Sequence, residues 1–153
     1  MGDPASFAMP TDWASCLRAE HGALKSFIDV LESEQRTLLS GQTETLIDLA
    51  DRKIGLVDQL TRLAGQRRKL QPAPGIPPSG QNDAPSQQLW TDVRQMAARA
   101  EQLNRTNGEL IQIKLRHNQQ ALTVLHNAAQ SATLYGPDGQ PSIPVSGRTL
   151  GSV

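Results

Sequence analysis

The chain has 153 residues, enough for one domain of ordinary size, and its 15 basic residues are balanced by 15 acidic ones. Because the net charge is zero, the whole chain does not attract phosphate backbones or anionic membrane surfaces, and nucleic acid is not an expected partner. Aromatic residues make up only 3% of the chain, and no apolar run reaches the ~18 residues of a membrane-spanning helix. We therefore expect a soluble, helical, cytoplasmic protein without membrane insertion.

Few residues in this chain are suited to chemistry. Cys16 is the single cysteine; it cannot form an internal disulfide, and we expect it to be a buried apolar side chain. His21, His117 and His126 lack the i, i+4 spacing of a helical metal site. No nucleophile, phosphate-binding or dinucleotide motif occurs. We therefore expect no metal, no cofactor and no catalysis.

The first helix is expected to begin after Pro10, with Thr11 as its N-cap. Its leucines recur at intervals of seven residues, at Leu17, Leu24, Leu31 and Leu38. Glu20 and Glu34 interrupt the second row, so the pattern indicates a helix that faces a bundle and not a strong two-stranded zipper. Ser40-Gly41 is expected to end this helix.

Thr43 is expected to cap the second helix, which should fold back antiparallel on the first. Its apolar positions are Leu46, Ile47, Leu49, Ala50, Ile54, Leu56, Val57, Leu60, Leu63 and Ala64, which we expect to contact both other helices. Arg67-Arg68-Lys69 near its end suits the negative end of the helix dipole or a solvated face, while an anion-binding patch is the alternative. A proline-rich linker is expected over residues 71–85.

The third helical segment lies within residues 87–134, which contain no proline and one glycine, Gly108. Its first half repeats apolar residues every seven positions, at Leu89, Met96, Leu103 and Leu110. Beyond Gly108 the apolar stripe moves to Ile111, Leu115, Leu122 and Leu125. Either the helix bends or divides near Gly108 and repacks within the bundle, or this second stripe faces a partner.

The predicted fold is all-α: an antiparallel bundle of three long helices over residues 11–134. Residues 1–10 are expected to form a flexible N-terminal extension. The glycine and proline content of residues 135–153 predicts a flexible tail. Tyr135 at the junction either packs on the last helical turn or is a recognition side chain.

The arrangement resembles the FlgN family of flagellar export chaperones. The matching features are the opening around Trp13 and Leu17, the long helices, the proline-rich break and the run from Ala128-Ala129-Gln130 to Leu134-Tyr135-Gly136-Pro137-Asp138-Gly139. The resemblance covers nearly the whole chain, and its distinctive part is the Leu-Tyr-Gly-x-x-Gly-like terminus.

This resemblance implies a cytoplasmic chaperone of type III export that holds hook-associated proteins, which join flagellar hook and filament, until their secretion. Its cargo surface would receive an amphipathic C-terminal helix of the cargo and would comprise Ile111, Leu115, Leu122 and Leu125. Tyr135 would dock on the export gate.

Two other readings remain open from the residues alone. A structural coiled-coil protein could form homo-oligomers through the stripes from Leu17 to Leu38 and from Leu89 to Leu110. A regulator could bind nucleic acid through Arg67, Arg68 and Lys69.

Overall fold

In the computed structural model, residues 8–71 and 84–134 are described. They contain three helices and no strand: α1 (Trp13–Ser40), α2 (Leu46–Leu70) and α3 (Ala84–Leu134). The predicted all-α fold with three long helices is therefore confirmed. The chain divides into two compact units, Met1–Ile111 and Gln112–Val153.

The carboxylate of Asp12 caps the beginning of α1. Asp12 has an extended backbone (φ −124°, ψ 157°), and its side chain accepts a hydrogen bond of 2.8 Å from the Ser15 backbone N–H. This hydrogen bonding from Ser15 lowers the pKa of Asp12. The prediction of Thr11 as the cap was wrong by one residue, since the aspartate supplies both the acceptor and the negative charge that a helix N-terminus favours.

The end of α1 follows the prediction, whereas the start of α2 does not. Gly41 adopts a left-handed conformation (φ 75°), and its N–H donates to the Thr37 carbonyl over 3.1 Å. Thr43 does not cap α2, which begins at Leu46 after Thr45; the Thr43 backbone carbonyl instead accepts from the Leu46 N–H in the connecting turn.

In the first unit α1 is the central helix. Its buried residues are Trp13, Cys16, Leu17, Glu20, Ala23, Leu24, Phe27, Ile28, Val30, Leu31, Glu34 and Leu38, whereas α2 buries only Leu49 and Leu63. The four leucines of the predicted seven-residue repeat are among them. They face the chain's own core, which argues against their use as a homo-oligomer interface.

Cross-helix contacts give the directions of the helices in the first unit. The beginning of α1 meets the end of α2, because the Cys16 thiol donates to the Leu63 carbonyl over 3.2 Å. The end of α1 meets the first half of α2, where Lys53 pairs with Glu34. The two helices therefore run antiparallel, as predicted.

The first half of α3 runs in the same direction as α1. Trp90 lies beside Trp13 with ring centroids 6.3 Å apart, and Asn107 donates to the Leu31 carbonyl over 2.8 Å. Between these contacts, Val93 and Ala100 are buried in apolar clusters with α1. Leu89, Met96 and Leu103 pack against the same clusters. Three of the four residues in the repeat predicted for this half therefore lie on the core face.

The apolar face predicted for α2 was too broad. Leu56, Leu60 and Leu63 join the core clusters, but three β-branched residues do not: Ile47, Ile54 and Val57 are 74%, 68% and 46% exposed. A helix turns by about 100° per residue, so these three residues share a side distinct from Leu56 and Leu63. α1 and the first half of α3 both pack on the other side.

Glu20 is a buried carboxylate, although its charge suggested a break in the core pattern. Arg67 Nε donates to Glu20 Oε2 over 2.6 Å, and the guanidinium lies 4.6 Å from the centre of the Trp90 ring. Arg67, Arg68 and Lys69 lie in the last turn of α2, where the helix dipole favours positive charge as predicted, but Arg67 is paired with Glu20 and does not lie on a solvated face. Arg68 and Lys69 are exposed, so the three residues do not form a common anion-binding patch.

Glu34 is also buried and bound. Lys53 Nζ donates to both of its carboxylate oxygens over 3.1 and 3.2 Å, and Asn107 Nδ2 donates to Oε2 over 2.8 Å. One carboxylate thus connects all three helices. Burying a charge is tolerated where a counter-charge and hydrogen bonds compensate its lost hydration.

The boundaries of α3 differ from the prediction at two places. Ala84 and Pro85, assigned to the linker 71–85, belong to the first turn of α3, where proline is tolerated because no intrahelical N–H bond is needed. Residues 72–83 of that linker lie outside the described residues. The helix is not interrupted at Gly108, and the division between the units falls after Ile111.

Candidate surface for a partner helix

The described part of the second unit is the helical stretch 112–134, and its apolar side chains are exposed. Leu115, Leu122 and Leu125 are 56%, 66% and 65% exposed. Their spacing of seven and three residues places them on one side of the helix. The fourth predicted cargo residue, Ile111, is the last residue of the first unit and is 37% exposed. It precedes Leu115 by about one helical turn.

A heptad pattern runs through this apolar side. Its members are Leu115, Asn118, Leu122, Leu125 and Ala129, separated by alternating steps of three and four residues, and all five are exposed. We call this set the second-unit seam. Steps of three and four are the pattern by which one helix packs along another. Asn118 was not predicted to belong to the surface. A step of three residues from Leu115 and of four to Leu122 places it in the same heptad row.

The charges of the second-unit stretch all have one sign. Residues 112–134 contain Lys114, Arg116, His117 and His126 but no aspartate or glutamate. Lys114 lies one turn before Asn118, and His126 lies one turn after Leu122, so these two residues flank the seam. His126 Nε2 and Gln130 Nε2 are 3.1 Å apart. Within residues 112–134, basic side chains and no carboxylates therefore border the seam.

A second pair of apolar side chains lies on the opposite side of this helix. Ile113 is 47% exposed and Val124 66% exposed. Each is two residues from a seam leucine, which corresponds to a rotation of about 200°. Exposure alone therefore does not distinguish the two sides of the helix, whereas the heptad spacing is found on the seam side.

Other kinds of site have little support in the described residues. Across 8–71 and 84–134, no three His, Cys, Asp or Glu side chains come close enough to hold a metal ion. A depression of about 180 Å³ in the first unit is lined by Met9, Gly55, Gln59, Arg62 and Leu63, and Arg62 is paired there with Asp58. Within the same ranges, no helix has the length and apolarity to cross a bilayer.

Comparison with known proteins places these features in a family. The family described as FlgN protein matches residues 9–143, which include all three helices. The chain belongs to the FlgN family. It is 31% identical to the flagella synthesis protein FlgN of Escherichia coli K12 over 134 residues, which cover 86% of this chain and 91% of that protein.

Other FlgN proteins are similar to the chain over comparable lengths. The Salmonella typhimurium protein is 34% identical over 116 residues, covering 74% of this chain and 79% of its own. The Yersinia enterocolitica protein is 29% identical over 131 residues, covering 84% and 88%. No solved structure matches the chain. The FlgN match extends past α3, so it includes both the second-unit seam and Tyr135, which lies outside the described residues.

Proposed function

We propose that this FlgN protein is a cytoplasmic chaperone of flagellar type III export. It binds hook-associated proteins, prevents their premature association and delivers them to the export gate. The observation that carries the proposal is the row of leucines in the second unit, each more than half exposed. A monomer rarely leaves such a row in water unless another molecule covers it.

The proposed cargo surface comprises Ile111, Leu115, Leu122 and Leu125. An amphipathic C-terminal helix of the cargo lies along them and removes both apolar faces from water. Burying one leucine contributes about 1.5 to 3 kcal/mol. Three leucines and the partly exposed Ile111 together contribute several kcal/mol, which is of the same order as the cost of association, so a specific complex is possible without any chemical step.

A paired set of variants tests the cargo surface. Leu122→Ala with Leu125→Ala should weaken binding to the C-terminal segment of a hook-associated protein roughly a hundredfold, which corresponds to about 3 kcal/mol for two truncated anchors. The matched control is Ile113→Ala with Val124→Ala, because these residues are also exposed but lie on the opposite side of the helix. Affinity is measured by isothermal titration calorimetry and helicity by far-ultraviolet circular dichroism.

Two results would contradict the assignment. Equal losses of affinity in both double variants would mean that the seam is not the binding side. A large loss of helicity in the Leu122 and Leu125 variant would mean that these leucines stabilise the fold. Failure of the unmodified chain to bind any hook-associated protein would overturn the proposed function itself.

Delivery to the export gate is assigned to Tyr135. Tyr135→Ala should leave cargo affinity unchanged and reduce secretion of the hook-associated proteins, because gate docking is a separate contact. Tyr135→Phe retains the ring and tests whether the hydroxyl is needed. Parallel loss of cargo affinity and secretion in Tyr135→Ala would show that one surface serves both steps.

A further inference from the structure

Asn118 is the polar residue in an otherwise apolar row. It lies between Leu115 and Leu122 in the second-unit seam, and its side chain is exposed. When a partner helix covers the seam, an amide at this position loses its contact with water. A buried amide without a hydrogen-bond partner is costly, whereas an amide that faces a polar group is not.

We infer that Asn118 determines which helix this surface accepts and in which register. The inference rests on the proposed function and adds the chemistry of the cargo helix. That helix has an apolar heptad seam, one polar side chain that meets Asn118, and acidic side chains along the edges of the seam. A single asparagine within an apolar seam is known to fix register at some cost in affinity.

The leucines of the seam do not by themselves select one register of a partner helix. Leu115, Leu122 and Leu125 would accept almost any apolar row, because leucine contacts have little directional preference. A partner helix displaced by three or four residues would still cover those leucines but would place an apolar side chain against Asn118. The unpaired amide therefore penalises the displaced register and also penalises helices with a wholly apolar seam.

The charges beside the seam indicate which side chains the partner helix carries along its edges. Lys114 and His126 flank the seam, and residues 112–134 carry no carboxylate. Acidic groups on the partner complement this border. A second copy of the same stretch would bring only like charges together, so charge complementarity favours a different, acid-flanked helix over self-association.

A two-by-two binding experiment tests the role of Asn118. The full chain and its Asn118→Leu variant are each titrated with two synthetic helices: the C-terminal segment of a hook-associated protein that the unmodified chain binds, and the same segment with its central polar seam residue changed to leucine. The matched control is Asn127→Leu, because Asn127 is also exposed and lies about half a turn around the helix from Asn118.

The preferences of the two proteins should cross. The unmodified chain should bind the natural segment at least about tenfold more tightly than the leucine segment, since one unpaired buried amide costs about that much or more. Asn118→Leu should prefer the leucine segment by a similar factor. Asn127→Leu should behave like the unmodified chain, because its substitution lies outside the covered side.

Specific results would overturn the inference while leaving the proposed function intact. Cargo binding with no change of preference in Asn118→Leu would show that this residue does not discriminate between helices. An equal change in Asn127→Leu would assign the effect to surface hydrophobicity. Self-association of Asn118→Leu in sedimentation velocity, with unchanged cargo preference, would show that Asn118 opposes homo-oligomerisation and does not select cargo.

The acidic side chains inferred for the partner helix are tested by a separate measurement. Affinity of the unmodified chain for the natural segment should fall as the salt concentration rises, and Lys114→Gln should weaken binding several-fold at low salt and reduce this salt dependence. Binding that is independent of salt in both proteins would exclude an acid-flanked partner.

Discussion

Replacing Arg67 by methionine removes the cation that faces a buried carboxylate. Arg67 Nε lies 2.6 Å from Glu20 Oε2, and the side chains of Arg67 and Glu20 are only 13% and 8% exposed. The guanidinium also lies 4.6 Å from the centre of the Trp90 ring. The substitution therefore disturbs a contact that connects α1, α2 and α3.

The expected loss follows from the burial of this pair. Removing one partner of a buried ion pair costs about 3 to 5 kcal/mol, because the remaining charge is left without compensation. Contact with an aromatic ring adds about 0.5 to 1 kcal/mol. Methionine retains much of the apolar stem of arginine, so we expect Arg67→Met to lower the free energy of unfolding by about 3 kcal/mol. Changing Glu20 to methionine as well should restore a large part of this loss.

The chain provides its own optical signal for the measurement. Its two tryptophans are Trp13 and Trp90, and both lie at this cluster. Urea unfolding followed by tryptophan fluorescence gives the free energy by linear extrapolation. The matched control is Arg68→Met, since Arg68 is exposed and should change stability by no more than about 0.5 kcal/mol.

Equal stabilities of Arg67→Met and Arg68→Met would show that the buried ion pair does not stabilise the fold. A double variant with Glu20→Met that is less stable than Arg67→Met alone would contradict the expected penalty of an unpaired carboxylate. In that case the carboxylate would not be the source of the penalty, and packing of the arginine stem would explain the loss.

Two further predictions concern α1. Burial raises the pKa of the Cys16 thiol, and the neighbouring Glu20 carboxylate raises it further. Because the residue is also fully buried, a disulfide reagent should modify it at least about a thousandfold more slowly in the native chain than in urea. Comparable rates in the two conditions would contradict its burial. Asp12→Ala should destabilise α1 at neutral pH. Because the folded-state pKa of Asp12 is lowered, the difference from the unmodified chain in thermal unfolding should shrink as the pH falls below about 4 and should vanish only when the pH is below that lowered pKa. A difference that stays undiminished over this range would exclude a contribution from the ionised carboxylate.

Much of the first unit could be predicted from residue spacing. The seven-residue repeat of Leu17, Leu24 and Leu31 identifies the buried side of α1, and Gly41 identifies its end. Such periodicity reports which side of a helix is apolar, and in α1 the apolar side is also the buried side. In α2 the apolar residues cover more of the circumference than two neighbouring helices can bury, so Ile47 and Ile54 remain exposed.

The buried carboxylates could not be predicted from α1 alone. Glu20 and Glu34 occupy core positions because Arg67 and Lys53 of α2 reach them. Those partners are distant in sequence, and their pairing depends on the register between two antiparallel helices. The sequence of α1 does not give the register between the two helices. Both glutamates therefore looked like interruptions of an apolar row, although each makes a contact between helices.

The length of α3 can be compared with the lengths of the other two helices. α3 has 51 residues, against 28 in α1 and 25 in α2. Because helices have the same rise per residue, neither shorter helix can accompany α3 over its full length. The sequence therefore predicts that α3 is longer than either helix that could pack beside it.

Neither the length of α3 nor exposure identifies which side of residues 112–134 would bind the proposed partner. Leu122 and Val124 are both 66% exposed, yet they point to opposite sides of the helix. Two arguments favour the side of Leu122: a row of leucines offers more apolar area than one isoleucine and one valine, and only this row continues in heptad steps. If the Ile113 and Val124 variant lost cargo affinity while the leucine variant retained it, the cargo would bind the second unit on the side of Val124. Heptad spacing would then not identify the binding side.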